Sequence, residues 1–456
     1  MEIKSTREQT RMQSADPVSL ERGVRQLLAD KVSGNLAGIW LLLAEHLRLG
    51  TWDLLCGWTG KSTERVEPRL ALQLIHEASL CTTGIRANRT LHGRAGFELA
   101  NGLSFVATDV AIHDLLNQRS VANTLELQAA LGKLRRASGH FSGKLLAIDP
   151  HRIRSHSARQ MRRRAEKSED RPVKMAQTFW VLDADTCQPV CFTTATAARN
   201  VGQATPGLLQ LAQQILQPIP EHTLVVADTE HFSSELLHEV HAQTGFDLLV
   251  PLPCRTSYRK RWNSIPHEQF TSHWAGYATA KLPFQMKSGT PGDYFELVQR
   301  NGERPEDWFF KGFISTTDRD EVDGLTRDFP QRGHVEEFFN ANQALGWDRA
   351  GTQNLHIRYG QMTMALIAQA VIHQLRQRLG TPYSNWDASH LATDLFFALE
   401  GDVRVTRDTI IVTYYNAPNT PLLRHHYENL PKKLGAENIC PNIPWLYDYQ
   451  LDFRFR

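Results

Sequence analysis

Three short, largely apolar runs constrain this chain most, and two of them lead into an aspartate. Leu145-Leu-Ala-Ile148 runs into Asp149-Pro150, Thr223-Leu-Val-Val-Ala227 runs into Asp228, and Phe246–Pro251 closes the series. Runs this short and this rich in apolar residues read as strands buried on both faces, because a face in contact with water would impose alternation. Between the first two runs, Met175–Leu182 and Pro189–Ala195 read as strands joined by a turn at Asp183-Ala-Asp-Thr. Amphipathic helices fit from about Pro206 to Leu216 and over 233–243. Three strands followed by alternating helices and strands predict an α/β fold, a mixed sheet with helices on its faces.

The remaining segments have different textures. Residues 1–140 read as an all-helical region: Asp16 caps a helix with Pro17 at its first position, and further helices fit 36–48, 62–79, 105–117 and 122–136. The last two meet at Arg119-Ser120 in the manner of a helix-turn-helix, with Leu125, Leu127, Leu131 and Leu134 packing and Lys133, Arg135 and Arg136 reaching outward. The strand series occupies 141–253. Residues 254–327 carry Trp274, Tyr277, Phe284, Tyr294, Phe295, Trp308, Phe309 and Phe310 in β-like alternation and read as a β-rich insertion. In 328–382 helices resume, with Asp328 as N-cap and a long helix Leu355–Leu379 stopped by Gly380. The segment 383–456 holds a hairpin, Val403–Thr406 with Thr409–Tyr414, and a Pro-rich tail.

Composition excludes several classes. With 41% hydrophobic and 22% charged residues the chain is neither disordered nor fibrous. Its longest apolar run, Gly38–Ala44, is far short of the roughly 20 residues a membrane span needs. Six Cys without a CxxC pair read as reduced thiols, which predicts a cytoplasmic protein. A net charge of +2 is uninformative, but its distribution is not: His151–Lys174 holds nine Lys or Arg against three acidic residues. His151, Arg152, Arg159, Arg162, Arg163 and Arg164 there, and Arg259, Lys260 and Arg261 between Tyr258 and Trp262, suit a polyanion through phosphate neutralisation and base stacking. Other motifs fail. Gly57-Trp-Thr-Gly-Lys-Ser62 has Leu55 where a phosphate loop needs its first Gly, and His238-Glu-Val-His241 lacks the i, i+4 spacing of a zinc helix.

The chemistry is expected where Asp149 and Asp228 end neighbouring strands, with Glu336 on a helix after the insertion. Clustered carboxylates need a cation, and hard oxygen donors favour Mg²⁺. Two such ions about 3.5–4 Å apart would activate a nucleophile and stabilise a leaving 3′ oxygen, with Mn²⁺ able to substitute. The order strand-Asp, strand-Asp, helix-Glu resembles the ribonuclease-H-like catalytic domain of DDE transposases from bacterial insertion sequences. It is most similar to the insertion-sequence-four group, in which a β-rich insertion separates the second Asp from the Glu. That group's signature is Tyr, two residues, Arg, three residues, Glu; Phe329-Pro-Gln-Arg332-Gly-His-Val-Glu336 matches it with Phe in the Tyr position, and Arg332 and Glu336, at i and i+4, are expected to project from one helix face. Departures are Gly333 after the Arg, Gln343 where the group has Lys or Arg, His151 in place of Thr, and the longer Asp228-Thr-Glu-His-Phe232.

The resemblance implies a DNA transposase that cleaves at transposon ends and transfers the 3′-OH into target DNA. Asp149, Asp228 and Glu336 would be catalytic and metal-ligating, and Arg332 would hold a DNA phosphate. The helical N-terminus would bind the terminal inverted repeats of double-stranded DNA, and joining two ends implies a homodimer in the active complex. Two alternatives stand beside it: a non-catalytic, domesticated DNA-binding protein, and a host metal-dependent nuclease of the same fold.

Overall fold

The computed structural model describes residues 16–60, 66–82, 91–155, 160, 163–164, 171–196, 200–217, 223–285, 294–347 and 354–456. The chain forms two compact units, Met1–Leu134 with Ala341–Arg456, and Arg135–Asn340. Among the described residues no helix is long and apolar enough to cross a membrane.

The first unit opens as expected. Asp16 caps the helix Pro17–Ala29 by accepting from the Val18 and Ser19 N–H groups. A short strand follows, β1 (Val32–Gly34), so the N-terminal region is not all helical. Helices Trp40–Leu49, Thr51–Thr59, Glu67–Ser79, Asp109–Asn117 and Val121–Ala137 come next; Gly50, at φ +65, forms the joint between the first two. Near the end of Val121–Ala137, Arg135 points inward rather than outward. It is fully buried in the second unit, donating to the Pro189 carbonyl (2.6 Å) and to Gln188 Oε1 (3.0 Å). Burial pulls its guanidinium down to about 9.

The second unit is built on one sheet. Its strands are β2 (Leu145–Arg154), β3 (Arg163–Arg164), β4 (Val173–Asp183), β5 (Gln188–Thr196), β6 (Leu224–Val226), β7 (Asp247–Pro251), β8 (Thr271–Trp274), β9 (Tyr277–Phe284), β10 (Tyr294–Asn301) and β11 (Phe309–Ser315). The order is β3-β4-β2-β6-β7-β11-β10-β9-β8, with β5 also paired to β4. β2, β4 and β5 are antiparallel, and β2, β6 and β7 run parallel. The aromatic-rich insertion does not form a sheet of its own. β11 pairs with β7 from Phe313↔Pro251 to Ser315↔Leu249, so β8–β11 extend the same sheet. Leu146, Ala147, Ile148, Val225, Val226, Leu248, Leu249 and Val250 are wholly buried, as the continuous apolar runs require. One helix, Val201–Leu216, packs on β4 and β5 and against the helix Ser234–Thr244. It starts earlier than its apolar pattern suggests, because Asn200 and Gln203 form a capping box and Pro206 is carried inside.

After the second unit the chain returns to the first. The helix Leu355–Leu379 buries Met364, Ile367, Val371, Leu375 and Leu379 against Trp40–Leu49, Glu67–Ser79 and Asp109–Asn117. It stops where the Gly380 N–H bonds to the Arg376 carbonyl. A second sheet, β1-β12-β13-β15-β14, contains the expected hairpin of β12 (Gly401–Thr406) and β13 (Thr409–Tyr414). The Pro-rich tail supplies β14 (Asn442–Ile443) and β15 (Tyr449–Phe455), the latter running parallel to β13.

Candidate active site

Asp149 is not at a strand end. β2 continues through Pro150 to Arg154, paired along its length to β4, with Asp149 opposite Trp180. Its parallel neighbour is what ends: β6 pairs with β2 only as far as Ala147↔Val226. From there one flank of β2 is open, and an imino acid without an N–H is tolerated. Asp149 and Asp228 each lie two residues beyond that last pair, so two carboxylates leave adjacent parallel strands at one level.

Asp228 is fixed locally. It caps the turn Thr229–His231, accepting from the Glu230 N–H (3.0 Å), and its Oδ1 lies 2.8 Å from His231 Nδ1. His231 itself is buried. Burial pushes the Asp228 carboxyl up, but the His231 hydrogen bond and charge, the Glu230 N–H and Arg332 together outweigh it and hold the group below the usual range. Asp149 goes the other way, to about 6. Burial is the main cause and the Asp228 charge adds to it, against Arg332, His231 and Arg152. Two neighbouring carboxylates are thereby driven apart in acidity, a common mark of a functional site.

The expected N-cap does not form at Asp328, which pairs with Arg319 at 2.7 Å and makes no cap hydrogen bond. Phe329–Gly333 is a separate tight turn, and the α-helix is His334–Asn342. Arg332 therefore precedes the helix instead of sharing its face with Glu336. It still meets both carboxylates, with Nη1 3.2 Å from Asp149 Oδ1 and Nη2 3.9 Å from Glu336 Oε1. The Glu336 side chain is 71% exposed. Its neighbour Glu337 lies in the field of Cys187, in the β4–β5 turn, whose thiol is pushed up by burial first and then by the Glu337 charge, and so serves a different neighbourhood. The helix start is pinned there by His334 Nδ1, 2.8 Å from the Ala184 carbonyl. Phe338 and Phe339 pack on Trp180, with ring centroids 6.2 and 5.8 Å away. At Gly333 an added Cβ would meet nothing, so that departure costs helix propensity alone.

The basic residues scatter. His151 stacks on Phe339 at 4.2 Å. Arg152 pairs with Glu230 and donates from Nε to Gln177 Oε1 at 3.2 Å. Arg163 is exposed on β3, where Arg164 also lies, and Arg159 and Arg162 fall outside the described residues. On the helix Thr256–Asn263, Lys260 is exposed, Arg259 donates to Cys254 Sγ at 3.0 and 2.9 Å, and Arg261 pairs with Glu296. Sequence reasoning passed over His231 and Glu230, although Asp-Thr-Glu-His places a histidine one tight turn after the aspartate.

Asp149 and Asp228 offer hard oxygen donors side by side, and the Asp149 carboxyl is raised by burial and then by the Asp228 charge. That chemistry suits a divalent cation. Among the described residues no group of three or more His, Cys, Asp or Glu side chains is gathered closely enough to hold a metal ion. Arg332 supplies the positive charge instead.

No family model and no curated protein sequence matches the chain. Among solved structures, the chain is similar to the piggyBac transposase in its synaptic complex with hairpin DNA. The identity is 10% and the TM-score 0.39, over 81% of this chain and 82% of that one. A likeness of that size decides nothing about function, which rests on the chain's own residues.

Proposed function

We propose that the chain is a DNA transposase of the insertion-sequence type with a ribonuclease-H-like core. One observation carries the reading. Carboxylates from β2, from the turn after β6 and from the helix His334–Asn342 converge on a single guanidinium, Arg332 being in contact with Asp149, 3.9 Å from Glu336 and within the field of Asp228. The sheet supports it, with three antiparallel strands followed by two parallel ones and the carboxylates where the parallel pair separates.

Asp149 and Asp228 would hold Mg²⁺, with Glu336 completing a two-ion set, and Mn²⁺ would substitute. Bound there, the ions would activate a water and stabilise a leaving 3′ oxygen. The protein's own groups do the rest. His231 keeps Asp228 ionised and oriented. Arg332, paired with Asp149 here, would be free to hold a phosphate oxygen pair in bidentate fashion if a bound cation balanced that carboxylate. Double-stranded DNA is the partner, both as terminal repeats and as target, and two ends call for two copies of the chain.

The Arg332–Asp149 ion pair favours a second reading, a DNA-binding protein without chemistry, since a neutralised carboxylate is also what a retired site would show. Strand transfer decides between them. Purified protein is incubated with Mg²⁺, a supercoiled plasmid and a duplex of the sequence flanking its gene, ending in a free 3′-OH. The expected product is plasmid covalently joined to the duplex. Plasmid cleavage without joining would indicate a nuclease, and retention of the duplex without either would indicate the binder.

A further inference from the structure

Lys311 lies on β11, a strand the resemblance assigns no role. Its ammonium sits over the Phe313 and Phe329 rings, 4.9 and 5.2 Å from their centroids, and those two rings meet edge to face at 4.8 Å. Phe329 belongs to the same tight turn as Arg332. The ammonium is half-buried, and no carboxylate pairs with it among the described residues. The ladder explains why. Lys311 stands opposite Gln299, and Leu297 and Asn301, the neighbours of Gln299 on that face of β10, are also uncharged. Glu296 points to the other face and is taken by Arg261 and Trp262. β7 pairs with β11 only from Phe313 onward and the Leu252 N–H after it bonds to the Gly312 carbonyl, so among the described residues no strand pairs with Lys311 on that side.

Two cations thus share one locality, and they differ. Arg332 has Asp149 and Glu336 to balance it, whereas Lys311 has only ring faces. Burial and the Arg332 charge together pull the Lys311 ammonium below its usual range, as expected where positive charge is in excess. A cation held half-buried beside another cation is stabilised when an anion completes the group. The anion that reaches a site of two carboxylates and two cations without being repelled is one that lies on the cationic side, such as a phosphodiester oxygen.

We propose that Lys311 and Arg332 form a two-cation subsite for a substrate phosphate on the flank of Asp149. This rests on the reading of the site as one that acts on DNA.

The test is the salt dependence of duplex binding, with Ca²⁺ present in place of Mg²⁺, read by fluorescence anisotropy on a short mixed-sequence duplex. Each phosphate neutralised adds about 0.9 to the slope of log affinity against log salt between about 50 and about 200 mM. Lys311→Met keeps the apolar stem over the rings and removes the charge. The slope is expected to fall by about 0.9, the melting temperature to stay, and Lys311→Arg to restore the slope. An unchanged slope in Lys311→Met, or no rescue by Arg, would leave Lys311 a packing residue and overturn the proposal, as would failure of the wild type to bind the duplex. A Lys311-dependent slope in a protein that neither cleaves nor joins DNA would keep the subsite and sink the transposase reading instead.

Discussion

Asp228→Asn is expected to weaken Mn²⁺ binding by more than about 100-fold, as measured by calorimetry, while leaving the fold intact. Even residues that only orient a metal ligand cost 10- to 100-fold when changed, so loss of a ligand oxygen's charge should cost more. Stability should survive because Asn can still cap the turn Thr229–His231 by accepting from the Glu230 N–H. The substitution has a second consequence that a simple loss of charge elsewhere would not reproduce. Asp228 is one of the two influences that raise the Asp149 carboxyl to about 6, the other being burial. Removing the like charge should therefore lower the Asp149 value, which carboxylate-edited NMR or infrared titration can follow. Unchanged Mn²⁺ affinity, or an Asp149 titration that does not move, would separate the two carboxylates functionally.

In metal-free buffer Asp149 should make the fold less stable as pH rises from about 4 to about 6, by about 2 kcal/mol. Its carboxyl is raised from an ordinary 3.8 to about 6 in the folded chain. Across that window the folded state keeps a proton that the unfolded state has lost. The stabilisation is therefore complete below about 4, declines through the window and is gone above about 6. A salt-bridged carboxylate with a lowered value does the opposite. Asp149→Asn cannot ionise, so the stability of the wild type relative to this variant should fall by that amount between the two ends of the window. Arg332→Met, which removes the opposing charge, should move the decline to higher pH. Denaturant titrations at the two pH values check both, and equal differences at each pH would contradict the burial argument. Added Mn²⁺ should reverse the trend at neutral pH by favouring the ionised form.

Much of what could be read locally held, though Asp328 caps no helix and the capping box at Asn200 was missed. Largely apolar runs placed the strands around Ala147, Val226 and Leu249, and the Asp16-Pro17 start and Gly380 stop held because caps act within a few residues. What depended on distant pairing was not visible. The continuation of β2 past Pro150 needs β6 to have ended, and the extension of the sheet by β8–β11 needs β11 to find β7. The same holds for β1 and β15, whose partners lie far along the chain. At the site, the spacing of Arg332 and Glu336 suggested one helix face, yet they come from two elements and meet all the same. Charge alone misled in both directions. Arg135 looked like a surface cation and is buried, whereas Lys311 carried no motif and lies beside the guanidinium that joins the carboxylates.

The most direct test is Mg²⁺-dependent nicking of supercoiled plasmid by the wild type and by Asp149→Asn, Asp228→Asn and Glu336→Gln, each first shown to bind DNA like the wild type. If the three carboxylates form one site, the wild type nicks and each single substitution lowers the rate by about 1,000-fold or more, because a metal-assisted centre loses most of its charge stabilisation with any one ligand. Nicking that persists in any of the three at near wild-type rate would contradict a single three-carboxylate site, and persistence in Glu336→Gln alone would leave Asp149 and Asp228 as its whole acidic complement.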